Sequence, residues 1–240
     1  MNRIALLITL LLAGTANAQS FQEIIDHPGR PNSDREDDDR RKPAEVMAFS
    51  GVSTGNIVLE IGAGGGYTTE LASRMVGPKG KVYAHRLDPA RVIGNRLPNV
   101  VVLPNAPAAP SERFTAAGMK PRSLDRVLAF FSLHDGYLGE DNDVQLWYRT
   151  MLDYMKPGSE LVVMDNTAPA GSGLEFTSTV HRIDPEFLKN DILKAGFEFV
   201  VESDVLRNPD DDLKSSWFED IPTRASGYQD RFAYRFRKPD

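Results

Sequence analysis

Ile57-Val58-Leu59-Glu60-Ile61-Gly62-Ala63-Gly64-Gly65-Gly66-Tyr67 is the stretch that decides the fold. Ile57 to Glu60 reads as a buried strand ending in a carboxylate. Gly62, Gly64 and Gly66 follow at alternate positions, and Thr68-Thr69-Glu70-Leu71-Ala72 begins a helix. Strand, glycine turn and helix open a nucleotide-binding βαβ unit. Absent Cβ atoms let a ligand lie against the backbone, and the helix N-terminus offers unbonded N–H groups.

Spacing narrows the ligand. A dinucleotide fingerprint, G-x-G-x-x-G, would place its third glycine on Tyr67, and no G-x-x-x-x-G-K-[ST] string occurs. The pattern present is E-x-G-x-G-x-G, from Glu60 to Gly66. It resembles motif I of the class I S-adenosylmethionine-dependent methyltransferases. The resemblance implies S-adenosylmethionine as cofactor, with Glu60 reaching its methionine amino group and Gly62, Gly64 and Gly66 packing against it. A tight turn without a ligand would need only one or two glycines.

The chain has 240 residues, enough for one α/β domain with a sizeable core. Residues 1–18 stand apart. Arg3 is followed by apolar Ile4 to Leu12 and by the small-residue site Ala16-Asn17-Ala18, the layout of a cleaved secretory signal peptide. The apolar run is too short for a transmembrane helix, so the mature protein is expected to be exported, periplasmic and not inserted in a membrane. There is no cysteine, hence no disulfide framework. Removal of Arg3 with the signal leaves 27 basic against 34 acidic residues, a net charge of −7. An acidic chain without a long basic stripe argues against a nucleic-acid substrate.

Residues 19–42 read as an N-terminal arm before a domain at 43–240. The run Asp34-Arg35-Glu36-Asp37-Asp38-Asp39-Arg40-Arg41 mixes charges with few apolar residues, as solvated segments and exposed helices do. Because it leads directly into the domain, it can also serve as a lid over the cofactor pocket. Pro43 opens a helix that Gly51 can end. Strands are expected at Lys81 to His85, Asn99 to Leu103, Arg126 to Phe131, Leu161 to Met164, Phe197 to Val201 and Arg231 to Arg235, with helices between. Met155-Lys156-Pro157-Gly158 resembles the K-P-G turn that precedes strand five of the methyltransferases. Alternation of helices and strands predicts a mostly parallel, Rossmann-like sheet with helices on both faces. The resemblance implies seven strands in the order 3-2-1-4-5-7-6, strand seven antiparallel.

Ligands of open α/β sheets bind outside the carboxyl ends of the strands. That rule gathers Glu60, Asp88, Asn105, His134, Asp135, Asp165 and Asn166 on one rim, and brings the loop carrying His181 to the same side. Histidine is the natural base near neutral pH. His134 or His181 is therefore the candidate base for an O–H or N–H methyl acceptor, with Asp135 or Asp165 orienting it. In the resembling family, strand two ends in an acid that holds the ribose hydroxyls. Here His85-Arg86 occupy that place and Asp88 comes two residues late, where it reads equally as a helix N-cap. Asn105 is the family's candidate for the adenine amino group, or an ordinary turn asparagine. Asp165-Asn166 resembles the metal pair of catechol-type O-methyltransferases, but no resident metal is expected, and no His or Cys pair at helical spacing points to zinc.

Arg41-Lys42-Pro43-Ala44-Glu45-Val46, His181-Arg182-Ile183-Asp184-Pro185 and the run Ser203 to Asp211 together resemble the exported predicted methyltransferases of bacteria. On that basis His181, Arg182, Asp210 and Asp211 are acceptor-side candidates and the acceptor a small molecule. The alternative is an exported, non-catalytic binding protein on the same fold, favoured by the late Asp88.

Overall fold

The computed structural model describes residues 20–104, 109–139, 143–216 and 229–240. The signal-peptide reading of residues 1–18 and the assignment of Asn105 lie outside the described residues.

Seven strands form one sheet: β1 (Ile57–Ile61), β2 (Lys81–Ala84), β3 (Val100–Val102), β4 (Leu124–Phe130), β5 (Met155–Asn166), β6 (Glu198–Ser203) and β7 (Arg231–Arg237). Their order is β3-β2-β1-β4-β5-β7-β6. β7 runs antiparallel between β5 and β6, and the remaining pairs are parallel. This is the architecture expected from the sequence.

The near-continuous apolar strands are explained by cover on both faces. Leu59, Val127, Leu161, Val163 and Phe236 pack to one side with residues of α6 (Pro110–Ala116), α7 (Val144–Tyr154) and α9 (Pro185–Lys194). Their neighbours Val58, Leu128, Val162 and Met164 pack to the other with α1 (Phe21–Ile25), α4 (Pro43–Ser50) and α5 (Tyr67–Val76). The period-two alternation of side chains thus fills two cores from one set of strands. α4 begins on Pro43 and ends at Gly51, whose φ of 64° supplies the left-handed cap. The K-P-G segment is no turn before β5 but a bulge within it: Leu124 pairs with Met155, and the next pair is Arg126 with Glu160.

The arm differs from a solvated segment. Besides α1 it holds α2 (Asn32–Glu36) and α3 (Asp38–Arg41), and its charges pair both within the arm and with the domain. Arg91 takes Asp34 through two bonds of 2.7 and 3.0 Å, the Tyr67 hydroxyl donates to Asp38 at 2.6 Å, and Arg30 grips Asp38 at 2.7 and 2.8 Å. Arg30 and Asp34 are buried. Paired charges hold this segment down together with Ile24, which packs into the second core. A short helix, α8 (Thr177–Val180), lies in the loop after β5.

Candidate active site

The glycines of the turn divide their work. Gly62 has φ 70°, and a Cβ there would meet Ser132 Cβ at 2.2 Å; one on Gly66, φ 79°, would meet Leu87 Cδ1 at 2.6 Å. These two are required by the protein's own packing. A Cβ on Gly65 would meet nothing within 4 Å, and one on Gly64 only the Gly62 carbonyl, at 4.0 Å. The middle of the bend is therefore open to a ligand. Its frame is tied to the end of β2, with Ala63 N–H donating to His85 O and Asp88 N–H to Gly64 O, both at 2.8 Å. Gly62→Ala is expected to cost about 2–5 kcal/mol in urea unfolding without any ligand, from left-handed strain and overpacking together. Gly65→Ala serves as the neutral comparison.

Glu60 faces this bend with only 3 % of its surface exposed. Thr69 Oγ1 donates to it. Burial pushes its pKa up to about 7, against the pull of the Thr69 bond and of Arg91. A buried carboxylate held this close to neutrality is matched to a cationic partner.

Two cavities meet at the turn. One, of about 520 Å³, is lined by Glu60, the glycine bend, arm residues Asp34 and Arg41, and His134, His181 and Arg231. The other, of about 1010 Å³, is lined by His85, Arg86, Arg113, Trp147 and Tyr148. Gly62, Gly64, Phe131 and Asp135 border both. Their volumes are those of small-molecule sites.

On the far side of the first cavity four candidates converge. β5 ends by presenting fully buried Asp165 to His134: Oδ1 lies 2.7 Å from His134 Nδ1, and Oδ2 accepts from the His134 N–H at 3.1 Å. This turns His134 Nε2 outward, 3.2 Å from His181 Nδ1 and 3.3 Å from Asp135 Oδ1. His181 stands in a left-handed conformation, φ 56°, with its carbonyl accepting from Asn166 Nδ2 at 3.1 Å. Burial alone would lower the His134 pKa, but Asp165 and Asp135 outweigh it and hold it up at about 10.

Three expectations need correction. Asp88 lies outside both cavity linings, and its carboxylate accepts from Ala90 N–H at 2.9 Å as the N-cap of a short 3₁₀ turn. The left-handed Arg86, φ 57°, and the buried Leu87 steer the chain so that Asp88 faces solvent. Arg182 is not an acceptor-side group: it is 1 % exposed and locked to Asp211. Asp211 is occupied by that pair, and neither it nor Asp210 lines either cavity.

Sequence reading missed Arg231, Asp34 and Arg91. Arg231 could have been found, because an antiparallel β7 must start where β5 ends, and Arg231 pairs with Asn166. Nothing in the charge run distinguishes Asp34 from its acidic neighbours.

Residues 41–87, well under half of the chain, match the family described as protein-L-isoaspartate(D-aspartate) O-methyltransferase. This segment spans α4, β1, the glycine turn, α5 and β2. A search of curated proteins finds no match. Among solved structures, the chain is similar to a SAM-dependent methyltransferase from Aquifex aeolicus, at 19 % identity and a TM-score of 0.55, covering 87 % of this chain and 98 % of that one. It is also similar to an S-adenosylmethionine-dependent methyltransferase from Mesorhizobium loti, at 13 % identity and a TM-score of 0.53, covering 82 % and 97 %. The fold is the class I methyltransferase fold. Within it the open bend, Glu60 and the His134–His181 pair all lie at the carboxyl ends of the strands, the rim where such sheets bind ligands.

Proposed function

We propose that this chain is an S-adenosylmethionine-dependent methyltransferase, exported to the periplasm, whose acceptor is a small molecule carrying an acidic group. The observation that carries the reading is the bend left open at Gly64 and Gly65 beside a buried carboxylate at the junction of two cavities. The cofactor, when bound, supplies a methyl group on a sulfonium sulfur. Glu60 would pair with its ammonium group. His85 and Arg86 stand where the family places its ribose acid, and His85 Nδ1 is buried with no hydrogen-bond partner among the described residues, available to a ribose hydroxyl. Orientation of the reacting atoms can supply on the order of 7–11 kcal/mol in ideal intramolecular cases. The His134–His181 pair faces the cavity where the acceptor would lose its proton.

Arg231 supports the acidic acceptor. It is 4 % exposed, lines the first cavity and stacks over Phe131 at 4.8 Å. Among the described residues it has no carboxylate within ion-pair distance. Burial first, then Arg40 and Arg41, push its pKa down to about 9, against the pull of Asp37. Arg231→Gln should leave stability within about 1 kcal/mol, since no carboxylate is stranded, and lower turnover of an acidic acceptor at least tenfold. A loss of 3 kcal/mol or more would make Arg231 a structural residue instead.

Calorimetry with S-adenosylmethionine and S-adenosylhomocysteine tests the reading. Saturable binding of both is expected; binding of neither would leave a non-catalytic binding protein as the better account. Fusion of residues 1–18 to a reporter active only in the periplasm tests export, and a silent fusion would refute it.

A further inference from the structure

We propose that His134 Nε2, His181 Nδ1 and Asp135 Oδ1 form a binding site for a divalent first-row transition metal ion, Zn²⁺ foremost, with one coordination position open to the cavity. The three atoms stand 3.2, 3.3 and 3.6 Å from one another. A tetrahedral ion with bonds of about 2.0–2.1 Å has ligand–ligand edges of about 3.3–3.4 Å. The triangle therefore already has the size of one face of that tetrahedron. Two imidazoles and a carboxylate suit Zn²⁺ and its neighbours rather than Mg²⁺ or Ca²⁺, which prefer oxygen alone.

Asp165 supplies the outer layer. Its bond to Nδ1 fixes the His134 tautomer so that Nε2 is the ligand, the carboxylate–histidine arrangement that orients metal sites. The Asn166 bond to the His181 carbonyl holds the second ring. All three ligand residues line the first cavity, so the fourth position points to where the acceptor would enter.

This deepens the methyltransferase reading and rests on it for its role. An acceptor X–H that coordinates the ion loses its proton to solvent. X then forms a bond to the methyl carbon as the carbon–sulfur bond of the sulfonium breaks, leaving a neutral thioether, and one proton balances the charge. Three protein ligands with an open fourth position is the arrangement of catalytic rather than structural zinc.

The test uses the full-length protein, stripped with chelator and titrated with ZnSO₄ by calorimetry and with CoCl₂ by visible absorption. One equivalent of each is expected, with the intense d–d bands of four-coordinate Co²⁺. His134→Ala, His181→Ala and Asp135→Asn should each weaken zinc binding at least 100-fold, and Asp165→Asn about 10–100-fold. Asp135 is half-exposed, so Asp135→Asn keeps the fold even where a histidine variant does not. His27→Ala, in the arm, should change nothing. No saturable binding, or binding unchanged in Asp135→Asn and both histidine variants, overturns the site. Glu60→Gln separates the two readings, because it should lose S-adenosylmethionine and keep zinc. A wild-type chain that binds the cofactor but no metal sinks the metal site alone.

Discussion

Glu60→Gln is expected to abolish S-adenosylmethionine binding and, in the same protein, to stabilise the fold above neutral pH. The two effects have one cause. Glu60 is buried beneath the open bend, and its pKa rises from an ordinary 4.5 to about 7. Folding therefore favours the protonated form. A group raised in this way contributes stability fully present below its unfolded pKa and lost as pH rises through its folded pKa. Above about pH 7 the ionised carboxylate costs the empty protein on the order of 3 kcal/mol relative to acid conditions. Glutamine removes that charge and still accepts from Thr69. The same cost is what a cationic ligand relieves. In the wild type, cofactor affinity should fall about tenfold per pH unit below 7, as Glu60 takes a proton, and should fall again above about 8 as the ligand's amino group loses its own. Calorimetry from pH 5.5 to 9 and urea unfolding at pH 5 and 8 measure both halves. A Glu60→Gln variant that binds the cofactor as the wild type does would sink the assigned contact.

The parts of this protein legible in sequence are those whose cause is local or periodic. β1, the glycine turn and α5 lie within twenty residues, and each requires residue types that the others confirm: apolar run, left-handed glycines, apolar helical stripe. The strands were visible because both faces are covered, and their order came from resemblance rather than from any residue. The rim rule placed His134, Asp135, Asp165 and His181 on one side, and the structure brings them into contact. What it could not give was which nitrogen faces which oxygen, and hence that His134 is flanked by two carboxylates. The arm was hidden for a different reason. Asp34 and Arg91 are 57 positions apart, and a charge run reads the same whether its partners are water or a distant arginine. Asp88 shows the converse: its capping role was written locally, in the Asp-Pro pair, while the ribose role depended on a register that the left-handed Arg86 breaks.

Arg182→Met should cost about 3–5 kcal/mol of stability. Arg182 is 1 % exposed, and four hydrogen bonds hold its guanidinium. Nη1 and Nη2 reach the two oxygens of Asp211 at 2.8 and 3.0 Å, Nη1 also donates to Thr167 O at 2.9 Å, and Nε donates to Ser215 O at 2.9 Å. Asp211 in turn accepts from the Asp230 N–H at 2.7 Å. One side chain thereby joins the end of β5, the loop bearing His181 and the segment that leads from β6 towards β7. Methionine fills much of the volume but strands a buried carboxylate and two carbonyls, and desolvated orphans of this kind dominate the cost of breaking such pairs. Adding Asp211→Asn to Arg182→Met should therefore recover part of the loss, since the stranded charge is gone while the Asp230 N–H keeps an acceptor. Urea unfolding of the two single variants and the double variant gives the coupling directly. His181 is the neighbouring residue, so zinc affinity should fall in Arg182→Met more than in the double variant. A single-variant loss below 1 kcal/mol, or no coupling between the two positions, would show that the His181 loop is held by something other than this pair.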